Sequence, residues 1–236
     1  MTEIIYDFGE YMKRIWKIAA LALSISVVCA GLMSCRNENK MTEELSAVKS
    51  GIEKTRALGS GEVMVYATFK PEKEVEGTLL TSVTESYAKF LNSGTLEYDF
   101  TETTKFTSGD DMKSYEATVE NGTTIVSRDG VVVDPSEAPD IFSAFNIDYE
   151  VADIDKIEVI DAGEQTLYTV TMKDSYAAKA DHSENGVDYK GRKVRFNYYL
   201  DLAGTARKVV SEYTYEVTVG GGTQNVVVFS QTTVNS

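Results

Sequence analysis

A chain of 236 residues with 37 acidic against 23 basic side chains carries a formal net charge of −14. Nucleic-acid binding rests on phosphates neutralised by Lys and Arg, so this balance excludes nucleic acid as a partner and also excludes an electrostatic grip on anionic lipid. One histidine, His182, and two cysteines, Cys29 and Cys35, are too few for His- or Cys-based nucleophilic catalysis or for a four-ligand zinc site, so neither an enzyme nor a cofactor is expected.

The chain begins with a leader. Lys13, Arg14 and Lys17 precede an apolar run from Ile18 to Gly31, and the run ends in Leu32-Met33-Ser34-Cys35. A basic flank, a short apolar run and a small residue directly before a cysteine resemble the lipobox, the export signal of bacterial lipoproteins. That resemblance implies cleavage between Ser34 and Cys35 and a diacylglycerol group on the Cys35 sulfur, with chains such as palmitate. The other reading of the stretch is an uncleaved anchor. Its clean run spans 14 residues, whereas about 20 are needed to cross a bilayer core. Val28 before Cys29 is too large for the cleavage site. Met33 stands where a smaller residue is commoner, and Glu3, Asp7 and Glu10 precede the basic flank, so Met12 makes a neater start to such a signal.

The leader's acids and bases cancel, and the exported part keeps the whole net charge. Its attachment to the cell membrane or outer membrane would come from acyl chains, at about 0.8 kcal/mol per buried CH₂. With Cys35 acylated no internal disulfide is available, even in a compartment that permits one. The expected organisation is a signal peptide over 1–34, the acylated cysteine and a short tether over 35–41, and one domain over 42–236.

That domain opens with a helix capped by Thr42, with Leu45, Val48 and Ile52 on one stripe and Gly59 as its stop. Residues 62–70 alternate bulky side chains on both sides and predict a strand buried on both faces. Leu79, Leu80, Val83, Tyr87, Phe90 and Leu91 fall at helical spacing and predict a second helix over 78–91. From Thr95 the period is two, with hairpin dipeptides at Asn121-Gly122 and Asp129-Gly130. Asp134-Pro135 opens an interruption in which Ile141 to Phe145 predict a short covering helix. The acid-rich Asp148 to Glu158 reads as a solvated stretch. Strands follow at 156–161, 166–173, 193–201, 206–219 and 226–233, which makes an α+β domain.

Helix, strand, helix, a long meander and the closing RFNYYLDLAGTARKVVSEYTYEVTVGGGTQNVVVFSQ resemble, in their order, the LolA/LolB and LppX group of envelope lipoproteins. The likeness covers Thr42 to Ser236 in layout and is most evident over Val194 to Phe229. It implies a strongly curved antiparallel sheet, an incomplete barrel of about 8–9 strands, with two or three helices over the concave side. The gap between them would hold a lipid, an acyl chain or another hydrophobic ligand. No catalytic residues belong to the group.

Two functions stay open: a ligand-binding half-barrel, or an interaction lipoprotein with a filled core and an envelope protein as partner. Tyr98, Phe100, Tyr198, Tyr213 and Tyr215 are either core packing or pocket lining. Asp181, Ser183 and Asn185 imitate the first half of a calcium loop. Arg192 stands where the bidentate Glu belongs, so the stretch around His182 reads as a polar loop.

Overall fold

The first and last strands among the described residues lie side by side. The computed structural model describes residues 38–76, 78–91, 97–106, 109–120, 123–137, 140–184 and 186–236, without the side chains of 97–100, 102–115 and 119–120. Ser34, Cys35, the leader and the Asn121-Gly122 turn lie outside the described residues. Strand β1 (Ser60–Pro71) pairs with β12 (Gly222–Asn235) from Glu62↔Asn235 to Pro71↔Val226. Beyond β1 the sheet continues through β2 (Ser82–Leu91), β3 (Glu97–Phe106), β4 (Gly109–Glu120), β5 (Thr123–Arg128) and β6 (Val131–Val133). Beyond β12 it continues through β11 (Ala206–Val219), β10 (Val187–Asp201), β8 (Gln165–Met172) and β7 (Ile154–Asp161), while β9 (His182–Glu184) pairs with the start of β10.

Among the described residues these twelve strands form one antiparallel sheet that ends in β6 and β7, where the expected number was eight or nine. Twisted open sheets of more than about ten strands rarely stay flat. Register shifts leave Arg192 of β10 and Arg207 of β11 without a partner in the ladder and add a local bend to each strand. Both features are consistent with a curved sheet.

Helix α1 (Glu38–Arg56) starts four residues before Thr42. Neither proline nor glycine occurs between Glu38 and Thr42, so nothing stops the helix from extending backwards. Its buried stripe, Leu45, Val48 and Ile52, lies on the expected face. Each such side chain contributes about 1.5–3 kcal/mol when fully buried. The helix is docked on the β10–β11 turn, where the Thr55 hydroxyl donates to the Ala206 carbonyl at 2.5 Å and the Lys54 ammonium to that of Ala203 at 2.6 Å.

The second helix, over 78–91, is instead strand β2. Ser82, Thr84, Ser86, Ala88 and Phe90 alternate with Val83, Glu85, Tyr87, Lys89 and Leu91, and ten successive residues pair with β1 from Ser60↔Leu91 to Phe69↔Ser82. The helix-spaced set is split between the two faces, Phe90 on one and Val83, Tyr87 and Leu91 on the other, so the partner strand and not the local period decides. Strand β1 is also not buried on both faces: Val63 is 1% exposed, but Met64 and Tyr66 are 41% and 42% exposed.

The covering helix over 141–145 proves to be a single 3-10 turn, Ser143–Phe145, although Ile141, Phe142 and Phe145 are buried as expected. A further one-turn helix, α2 (Asp174–Ala177), crosses β10. At Asp129-Gly130 both central residues have positive φ, 51° and 80°, as the tight hairpin turn requires.

Candidate functional site

Cross-strand partners share a face, so the register assigns the sides of the sheet. One face carries Val63, Ala88, Val234, Val209 and Tyr198, all nearly inaccessible, beneath the buried residues of α1 and of 141–149. Further along the strands the same face carries Val226, Val217 and Val187, which pack with Leu79 from the loop between β1 and β2. Between these two covered ends lie two rows that neither cover seals. The first is Thr84, Ala67, Ser230 and Ser211, and the second is Ser82, Phe69, Val228 and Tyr213. All eight are half-buried.

The first row is the floor of a trough, because its side chains are small. At one end it runs under residues 143–148 into a cavity of about 240 Å³, walled by Phe196, Val209 and Tyr213 on the sheet side and by Ser143, Ala144, Asn146 and Asp148 above. The Tyr176 hydroxyl donates to Asp148 Oδ1 at 2.8 Å and so fixes the carboxylate at the cavity wall. Arg56 of α1 donates to Asn146 Oδ1 and to the Phe142 carbonyl, which ties down the segment above the sheet. Burial, then the nearby charge of Asp148, pushes the Tyr213 hydroxyl up to about 12, so that hydroxyl is neutral at ordinary pH.

No protein-family model matches the chain, and no curated protein matches it at a significant level. The crystal structure of LprF from Mycobacterium bovis is similar to it over 83% of this chain and 92% of that one, at 15% identity and a TM-score of 0.37. Neither fold nor ligand is inferred from so loose a superposition.

Of the three aromatic candidates whose side chains are described, Tyr213 alone lines the cavity. Tyr198 is 1% exposed and belongs to the core, where its hydroxyl meets that of Tyr149. Tyr215 stacks on Tyr213 at 6.2 Å but packs against the Leu79 cluster, edge-on to Tyr189 and His182. Tyr98 and Phe100 sit on β3 opposite Phe90 and Ala88, and their side chains lie outside the described residues.

The stretch around His182 is a hairpin rather than a loop. The His182 ring stacks on Tyr189 at 4.5 Å, Ser183 donates to Asp188 Oδ1, and Asp181 Oδ1 accepts from the Gly191 amide. Asn185 lies outside the described residues. Among the described residues no group of three or more His, Cys, Asp or Glu is placed to hold a metal ion.

Sequence reasoning passed over Ser211, Ser230 and Asp148. Two of them carried a signal. Ser211 interrupts the inward set Val209, Tyr213 and Tyr215, and Ser230 interrupts Val226, Val228 and Val234, so each marks a point where the strand presents little bulk to its own core.

Proposed function

We propose that this chain is an exported, membrane-tethered binding module whose half-covered sheet face accepts a single apolar chain. The observation that carries this reading is the trough: a floor of Ala67, Ser211 and Ser230 left half-buried between two sealed ends of one sheet face, and running into a cavity. In a filled core those positions would hold large side chains.

The cavity at the end of the trough, about 240 Å³, is smaller than the roughly 300–1,000 Å³ of pockets that engulf drug-sized ligands. One chain end fits there, with its remainder along the open trough, and several chains do not. Tethering is assigned to acylation of Cys35. Among the described residues no helix is long and apolar enough to cross a membrane. An open antiparallel sheet whose ends do not pair among the described residues supports the same reading.

Lipid extraction and native mass spectrometry of the purified protein test the proposal. A single-chain ligand should co-purify, and Ser230→Phe, which fills the floor, should abolish it without unfolding the protein. Unchanged ligand in that variant would remove the trough as the site. The interaction reading draws on a different observation, an open cleft of about 450 Å³ on the opposite face, where Met64, Tyr66 and Tyr87 are exposed. No ligand in the trough, together with a crosslink from Tyr66 to an envelope protein, would favour it.

A further inference from the structure

Taking the trough as the ligand site, we infer that its occupant carries an uncharged, hydroxyl-bearing head and is neither a free fatty acid nor a phosphate-bearing lipid. The chemistry of the cavity end carries the inference. Every polar group on its wall is a hydroxyl, an amide or a carboxylate: Ser143, Ser211, Ser230, Tyr213, Asn146 and Asp148. Among the described residues that line it there is no Lys, Arg or His.

On the covering side Arg56 donates to Asn146 Oδ1 and the Phe142 carbonyl, and Lys179, 5.0 Å from the centre of the Tyr176 ring, pairs with Asp153 at 2.8 Å. The one full charge facing the cavity is therefore negative, and Tyr176 donates to only one of its two oxygens, Oδ1, among the described residues. An anionic head placed here would meet a carboxylate in a partly desolvated wall with no counter-charge, a pairing that like-charge repulsion disfavours. A hydroxyl head instead donates to Asp148 and accepts from a serine, which satisfies both sides.

Equilibrium binding of decanol, monodecanoylglycerol and decanoate to the purified full chain, at neutral pH and read by native mass spectrometry, tests the inference. The two hydroxyl probes should bind at least about tenfold more tightly than decanoate, a difference of about 1.4 kcal/mol. Asp148→Asn keeps an acceptor for Tyr176 while removing the charge, and it should narrow that ratio to within about threefold. Unchanged thermal unfolding shows that this variant is folded; if it is not, Tyr176→Phe, which frees Asp148 Oδ1, should widen the ratio instead. Decanoate binding as tightly as decanol, or a ratio that ignores both variants, overturns the head-group inference and leaves the trough standing. Failure of all three probes overturns the trough itself.

Discussion

The hydroxyls of Tyr149 and Tyr198 meet at 2.8 Å inside the core, with Tyr198 1% and Tyr149 2% exposed. One comes from the irregular segment after the Ser143–Phe145 turn and the other from the centre of β10, so the bond fastens the cover to the sheet next to the cavity. Neither hydroxyl can turn to water. Tyr149→Phe or Tyr198→Phe alone should therefore cost about 1–3 kcal/mol, because each strands the other hydroxyl in an apolar site. The double variant should cost less than the sum of the two, since no polar group is then left unpaired. Chemical denaturation of the four proteins completes the cycle, and strict additivity would show that the hydroxyls do not interact.

Asp201 organises the β10–β11 turn by itself. Its Oδ1 accepts from the Ala203 and Thr205 amides, both at 2.9 Å, and its Oδ2 from Arg207 Nε at 2.8 Å. Burial opposes the charge, but the Arg207 bond and the amides of Thr205 and Ala203 outweigh it and hold the carboxyl below its usual range. The folded value lies below the unfolded value of about 3.9, so this stabilisation is complete above the unfolded value. It is lost as pH falls through the folded one. The side chain is 26% exposed, which places Asp201→Asn toward the low end of the about 1.5–3 kcal/mol expected for bonds to a charged group. Measured from about pH 7 down to about pH 2, the denaturation midpoint of wild type should fall more steeply than that of the variant. Parallel slopes would remove the assigned cause.

Gly191 is required by a close approach. A Cβ there would stand 1.9 Å from the Ala177 carbonyl oxygen, because α2 crosses β10 directly above it. Backbone on both sides cannot yield as a flexible side chain would, so Gly191→Ala should cost about 3 kcal/mol and displace α2 with Tyr176, the residue that positions Asp148. Gly163→Ala makes a control. That glycine has φ +81° with open space around it, so the change should cost about 1–2 kcal/mol from backbone strain and leave ligand binding untouched. Equal ligand loss in the two variants would separate the trough from α2.

The strands that follow one another through short turns were legible in the sequence. Ala206 to Val219 was read to the residue, and Asp129-Gly130 announced its hairpin, because a tight turn with positive φ admits few residue types. Strand β2 was not legible, since Val83, Tyr87 and Phe90 suit helix and strand alike and only the ladder to β1 decides between them. The site was less legible for the same reason. Asp148 belongs to an acid-rich run that resembles a solvated surface, and its place at a cavity depends on Tyr176, which lies 28 residues further on. Tyr198 and Tyr213 have the same local pattern, yet one is sealed by Tyr149 and the other is left half-open by the small residues beside it.

That difference between the tyrosines gives a prediction at alkaline pH. Burial raises Tyr198 and Tyr149 well above the ordinary tyrosine range, and it raises Tyr213 to about 12. Each folded value is higher than the unfolded value near 10, so the stability these groups contribute is complete below about pH 10. It is lost as pH rises from there through the folded values, by about 1.4 kcal/mol per pH unit for each group that stays neutral. Tyr149 and Tyr198 should ionise only together with cooperative unfolding. Tyrosinate absorbance followed alongside circular dichroism checks that coincidence. In the Tyr149→Phe/Tyr198→Phe double variant the alkaline unfolding transition should move to higher pH, because two groups that drive it are gone. A transition at the same pH would show that their burial does not set the alkaline limit of the fold.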